Sequence, residues 1–298
     1  MSDWGKGVIN NIGWGQGANN DIGWGSIYDK SNAGETLLSS GGFEGLLNKF
    51  PGASLGLSLD KLDKNYTGSA IKVRRSSDNN ELDIGFVNNE LDTASLLDFV
   101  GSGNGFVTII YDQVGSNNMT QTTSSKQGLI VSSGSVILKG GKPCIIRNNN
   151  DGRYISTYPT NDGATVKGIF YVGDNGGKIS IMFGSNTGGQ DFLFASTNGS
   201  TDSIVDSPSK VEVSLTKLDG TTTTFSNRGE VFTATDGQFL LYREIDFSFD
   251  NNVLGLGYRQ DNPSVFGMFT FQELVIFENT DDAVAKENNI NSRYNNIY

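Results

Sequence analysis

From residue 70 to residue 277 the chain is a succession of short apolar or alternating runs, each closed by a cluster of Gly, Asn, Asp or Ser. "AIKVRR" (70–75), "GFVTIIY" (105–111), "SVILK" (135–139), "PCIIR" (143–147), "VKGIFYV" (166–172), "KISIMF" (178–183) and "DFLFA" (191–195) have this form. So do "KVEVSLT" (210–216), "TTTTFS", "EVFTAT", "QFLLYREIDF", "NVLGLGY" and "FGMFTFQELVIF" (266–277). Turn residues at nearly every boundary send the chain back on itself before a helix of ordinary length can form. Many short strands at near-regular spacing predict an all-β fold, a jelly-roll sandwich. Thirty-nine glycines, 5 prolines and 18% charged residues suit that turn-rich class better than a helical one. Two segments break the pattern. "ELDTASLLDFVG" predicts a short helix with Asp92 or Thr93 as N-cap, Leu96 and Val100 one turn apart, and Gly101 as its stop. A second helix follows "ENTDD", where Ile290, Tyr294 and Ile297 recur at i, i+4 and i+7.

The N-terminus obeys a different rule. "WGKGVINNIG WGQGANNDIG WGS" places Trp4, Trp14 and Trp24, the chain's 3 tryptophans, on a ten-residue beat. A helix would rotate successive blocks by about 80°, and the glycines oppose one. In an extended chain an even spacing keeps all three rings on one side. The arm is too poor in aliphatic residues to build its own core. It is read as a docking arm over residues 1–35, with the tryptophans anchoring to a repeating or symmetric partner. Residues 36–60 are read as a connector and 61–298 as the sandwich domain.

Several chemistries are excluded. The sequence has no histidine, which removes Ser-His-Asp and Cys-His nucleophile systems and His-ligated zinc. The single cysteine, Cys144, can form neither an internal disulfide nor a cysteine cluster, and its apolar run marks it as a small core residue. A net charge of −11 disfavours nucleic acid and anionic membranes. No apolar run is long enough for a spanning helix, and residues 1–25 lack the pattern of a secretory signal. No cofactor and no metal are expected. Oxygen-rich stretches at 148–152, 174–177 and 246–252 suit a hard cation such as calcium but lack EF-hand spacing, and Asx turns explain them equally well. Carboxylates, Lys, Tyr and oxygen-ligated metals remain as catalytic options; among the carboxylates Asp83, Asp112, Asp151 and Glu273 are the candidates. Sugar binding calls for an aromatic ring beside polar side chains. Tyr154 with Asp151 and Arg153, and Tyr258 with Arg259 and Asp261, are the candidate glycan-binding groups. Arg74 and Arg75 are expected to brace the fold through acidic partners.

Residues 61–113, "KLDKNYTGSAIKVRRSSDNNELDIGFVNNELDTASLLDFVGSGNGFVTIIYDQ", contain a Tyr-Thr-Gly step, a Val-Arg-Arg strand, a capped Leu-Leu helix and a Tyr-Asp-Gln turn. The stretch resembles the catalytic domain of arabinofuranosidase B-type enzymes, which implies a concanavalin A-like jelly roll. The family's Trp-Tyr-Asp-Gln-Ser-Gly-Asn-Gly-Asn turn reads Ile110-Tyr111-Asp112-Gln113-Val114-Gly115-Ser116-Asn117-Asn118 here. No position matches a family catalytic carboxylate, so no catalytic residue is assigned and the chain is expected not to be an enzyme. The C-terminal "FTFQELVIFENTDDAVAKENNINSRYNNIY" resembles the closing strand and helix of laminin-G-like domains in phage proteins and proteins of Bacteroidota. The arm resembles N-terminal repeats in virion proteins of tailed phages, crAss-like phages among them. Together these resemblances imply a bacteriophage virion structural protein, exposed on the particle as a head fibre, decoration or tail-fibre-like component. Residues 1–35 would dock on other capsid or tail proteins. The lectin-like domain would face host glycans or neighbouring subunits, as a homo-oligomer without nucleic acid or membrane insertion. The alternatives are a carbohydrate-active enzyme of arabinofuranosidase-like fold and a carbohydrate-binding module outside any virus.

Overall fold

The computed structural model describes residues 27–29, 36–38, 43–147, 154–156, 165–175, 180–185, 191–196, 199–201, 212–248, 254–256 and 269–298. The chain divides into two compact units, Met1–Glu44 and Gly45–Tyr298. In the first, Ile27–Asp29 pairs antiparallel with Thr36–Leu38. Trp4, Trp14 and Trp24 lie outside the described residues.

The second unit is a β-sandwich of the jelly-roll, concanavalin A-like kind. Its main strands are β1 (Ala53–Ser58), β2 (Ile71–Arg75), β3 (Glu81–Ile84), β4 (Gly105–Ile110), β5 (Gly128–Ser132), β6 (Ile145–Arg147) and β7 (Tyr154–Ser156). They continue as β8 (Thr165–Asp174), β9 (Ser180–Ser185), β10 (Asp191–Ser196), β11 (Glu212–Leu218), β12 (Phe239–Ser248), β13 (Leu254–Leu256) and β14 (Phe269–Phe277). Four helices accompany them: α1 (Leu46–Lys49), α2 (Thr93–Val100), α3 (Arg228–Ala234) and α4 (Ala283–Arg293). All of these strand pairings are antiparallel. The first layer runs β1–β14–β8–β12–β11. The second begins β3–β2–β4. From β4 it continues through Met119–Thr120 to β7, β13, β9 and β10. It also continues through β5 and β6, and β6 pairs with β14 to join the layers along one side.

The apolar runs of the first layer are buried on both faces, which is why they show no alternation. Ile169, Tyr171, Leu241, Leu274 and Ile276 point between the layers and meet Ile71, Val73, Ile110 and Leu254. Phe170, Val172, Leu240, Tyr242, Val275 and Phe277 point the other way, under Leu46, Ile290 and Tyr294 from α1 and the α4 region. The phenylalanine at 170 stacks on Tyr242 at 4.7 Å. Period 2 along each strand thus fills two cores at once.

Both expected helices are present. Asp92 caps α2 by accepting from Ser95 N at 3.0 Å, and Gly101 ends it with φ of 65°. α4 buries Ile290. Among the segments that differ from the sequence reading, two have a clear physical cause. "EVFTAT", read as a strand, lies in α3 and its C-terminal end. Asn227 accepts from Glu230 N at 3.0 Å and Glu230 accepts from Ser226 N at 2.7 Å, so a reciprocal cap outweighs β-branched propensity. Residues 45–60, read as part of a connector, supply α1 and β1; β1 pairs with β14 from Ala53 to Ser58. The stretch "ASLGLS" hides its strand character behind small residues, because Gly56 must lie close to Val114 and Leu62.

Candidate functional site

Two of the candidate carboxylates are consumed by the fold. Asp112, 2% exposed, accepts from the backbone N–H of Gly56, Val114 and Gly115 at 3.0 Å each and of Asn117 at 3.2 Å. It closes the turn after β4 and pins that turn to β1. Glu273 on β14 is fully buried. Arg293 grips both its oxygens, at 2.8 and 2.6 Å, while Ser58 Oγ and Tyr294 Oη donate to it at 2.7 and 3.2 Å. Burial, with the Glu273 charge added, holds the Tyr294 phenol well above its ordinary range. Asp83 is open to solvent on the second layer and accepts from Tyr111 Oη at 2.6 Å. Asp151 lies outside the described residues, as do Arg153, Tyr258, Arg259 and Asp261.

Tyr154 does not offer a platform. Its ring is 0% exposed between the layers, where the hydroxyl donates to Val107 O at 2.6 Å and accepts from Gly128 N at 2.7 Å. A tyrosine whose polar tip finds backbone partners is as stable inside as phenylalanine, so sequence alone misplaced it. Cys144 is buried as expected, and burial pushes its thiol up to about 12. Arg75 pairs with Asp78 at 2.7 Å, in keeping with a bracing role. Arg74 braces with different chemistry: it bonds Gln127 Oε1 and Asn79 Oδ1 at 2.7 Å and stacks over Phe106.

Beside Glu273 lies an acid that sequence reading passed over. Asp60 is 5% exposed, with Lys142 Nζ at 3.4 Å and Arg293 at 3.9 Å. Lys142 already holds Glu90 at 2.5 Å, and Arg293 already holds Glu273. Asp60 is therefore the third carboxylate facing two cations. Burial raises it from 3.8 to about 6, against the pull of Arg293 and Lys142 and with help from Glu273 and Glu90. Since the folded state keeps this proton longer than the unfolded chain, the group's contribution is full below pH 3.8 and is lost as pH rises through about 6. Asp60→Asn is expected to be nearly neutral at pH 4 and to stabilise by about 1–3 kcal/mol at pH 8. Urea midpoints of both proteins across this range check it; a difference that stays constant with pH would refute it.

A groove on the outer face of the first layer brings together residues with no local sequence signature. Lys167 from β8, Ser214 from β11 and Glu244 and Ile245 from β12 form its floor, and Glu278, Asn279, Thr280 and Asp281 form its rim. Its volume is about 470 Å³, within the range of small-ligand sites. The rim is the "ENTDD" loop that leads into α4. Lys286 fixes it from below, donating to Asn279 Oδ1 at 3.2 Å and Asp281 O at 2.5 Å with its ammonium over the Phe277 ring. Burial lowers the Lys286 pKa, against the pull of Asp282 and Asp281. Three carboxylates against one lysine disfavour phosphates and other anions, whereas alternating acceptors and donors suit a hydroxylated ligand. Among the described residues no group of three potential ligands is placed to hold a metal ion.

No protein-family model and no curated protein matches the sequence. Solved structures do match. A GH54 α-L-arabinofuranosidase soaked with a cyclic sulfate inhibitor superposes with a TM-score of 0.53 at 16% identity, over 80% of this chain and 62% of that one. An arabinofuranosidase complexed with arabinofuranosyl-α-1,2-xylobiose gives 0.54 at 14% identity, over 82% and 64%. A mutant GH54 enzyme soaked with 4-nitrophenyl α-L-arabinofuranoside gives 0.54 at 16%. This chain thus spans less than two thirds of the length of the enzymes it resembles. The likeness confirms the sandwich inferred from residues 61–113. It corrects the expectation of a non-enzyme, since the fold is shared with glycoside hydrolases. No virion protein is among these matches, and the implied particle surface finds no support in them.

Proposed function

We propose that this chain is a carbohydrate-active protein that takes glycans bearing furanosyl substituents into the groove of Lys167, Ser214, Glu244, Glu278, Asn279 and Asp281. The observation that carries the reading is the shared sandwich: the likeness to arabinofuranosidases covers 80–82% of the chain. The groove supplies what such chemistry needs. Glycoside cleavage uses two carboxyl groups, one protonating the leaving oxygen and the other acting as nucleophile or as base for water. Glu244 and Glu278, two of the groove's three carboxylates, are the pair assigned to these roles, one held on a strand and the other directly after one. Asn279 and Lys167 are donors for the sugar hydroxyls. Incubation with 4-nitrophenyl α-L-arabinofuranoside is expected to release nitrophenol above the buffer rate. Glu244→Gln and Glu278→Gln should each reduce release by about 100-fold or more with the unfolding temperature unchanged. No release, combined with no binding of soluble arabinan, would overturn the reading.

A further inference from the structure

We propose that the outer face of the second layer carries a separate carbohydrate-binding subsite, centred on the open space over Gly85 and lined by Tyr111, Asp83 and Lys72. It rests on the reading that this chain handles carbohydrate, but on none of the groove residues.

Glycine 85 is the first clue. A Cβ built there would meet nothing within 4 Å, and its backbone is not left-handed. Neither packing nor conformation requires glycine at this position, in contrast to Gly105 or Gly128, where a Cβ would strike core side chains. A strand-end glycine with empty space above it suits the close approach of something outside the chain. Alternation puts position 85 on the face that bears Asp83.

The groups around that space have the two properties a sugar needs. Lys72 and Asp83 are directly paired across β2 and β3. Tyr111 Oη donates to Asp83 Oδ1 at 2.6 Å and Lys72 Nζ lies 3.7 Å from the same atom. Asp83 is 48% and Lys72 28% exposed, so an acceptor and a donor stand side by side in water-accessible positions. Neighbouring hydroxyls of a sugar ring pair with such a couple. The aromatic part is Tyr111, half-buried and held by its hydroxyl on Asp83. A ring fixed in this way gives apolar contact at little entropic cost. The acid and the lysine balance each other, so the subsite favours a neutral sugar unit over an anion or a cation. Its shallow, open form suits a side branch of a polysaccharide.

Calorimetric titration of the full chain with soluble arabinan, arabinoxylan and α-mannan tests the proposal. The parent protein is expected to bind at least one of them. Gly85→Val, which fills the open space with a strand-favouring residue, should weaken that binding at least tenfold without lowering the unfolding temperature. Asp83→Ala should do the same. Glu244→Gln, in the groove, should leave this component of binding in place. If the parent binds and both Gly85→Val and Asp83→Ala bind equally well, the subsite is refuted while the carbohydrate reading stands. If the parent binds none of the three, the subsite is refuted, and the carbohydrate reading falls with it only if the aryl arabinofuranoside is also not turned over.

Discussion

Arg293→Met is expected to lower the stability of the folded chain by about 3–5 kcal/mol, among the largest single effects available in this molecule. Glu273 is fully buried in β14, an interior strand of the first layer, and both its oxygens are held by the guanidinium at 2.8 and 2.6 Å. Removing the cation strands an ionised carboxylate in a site that water cannot reach. Ser58 and Tyr294 still donate to it, but two neutral donors do not replace a bidentate ion pair. The double change Arg293→Met with Glu273→Leu should be less damaging than the single one, since replacing both members of a buried pair by apolar groups is often close to neutral. Denaturant midpoints for the three proteins decide the matter. A single variant that loses under about 1 kcal/mol would mean that the pair is solvated and that α4 is not anchored through it.

This pair also explains why α4 is part of the sandwich rather than a decoration. Ile290 and Tyr294 cover Phe170, Tyr242 and Phe277, and Arg293 reaches past them to the strand below. The helix was expected from the i, i+4, i+7 series Ile290, Tyr294, Ile297, of which only Ile290 lies within α4; Tyr294 is its C-cap and Ile297 lies beyond it. The ion pair was not expected, since 20 residues and a change of element separate its members. The same division runs through the molecule. Strands buried on both faces announce themselves as apolar runs, and the cap of α2 is a local signal. α3 was misread because its capping residues Asn227 and Glu230 flank a segment rich in β-branched residues. Tyr154 was misplaced because a strand-end tyrosine beside Asp and Arg looks the same in sequence whether its ring faces water or the core. The groove could not be read at all. Lys167, Ser214 and Glu244 come from three strands that the register sets side by side, and the rim residues had already been given a sufficient role as the start of a helix.

Asp112→Ala is expected to cost about 3–4 kcal/mol, and Asp112→Asn about half of that. The residue stands in the Tyr-Asp-Gln turn, where sequence suggested a candidate acid, yet its geometry is that of a clamp. One carboxylate collects four backbone N–H groups, from Gly56, Val114, Gly115 and Asn117. Charge-assisted bonds of this kind are worth about twice a neutral one. The bond to Gly56 is buried and crosses from the turn to β1, so its donor is left unpaired inside the protein when the acceptor goes. The other three lie nearer the surface, where water can replace part of what is lost. Asparagine keeps a single acceptor oxygen without the charge, which is why it should recover only part of the stability. The next residue works alongside: Gln113 accepts from Leu62 N at 2.7 Å and donates to Ser58 O and Asp60 O, so the turn is stitched to the segment that leaves β1. A reacting carboxylate would behave in the opposite way, with Asp112→Asn leaving the unfolding midpoint in place and removing turnover of the aryl arabinofuranoside. The expected result is a lowered midpoint, with any arabinan binding per folded molecule equal to that of the parent.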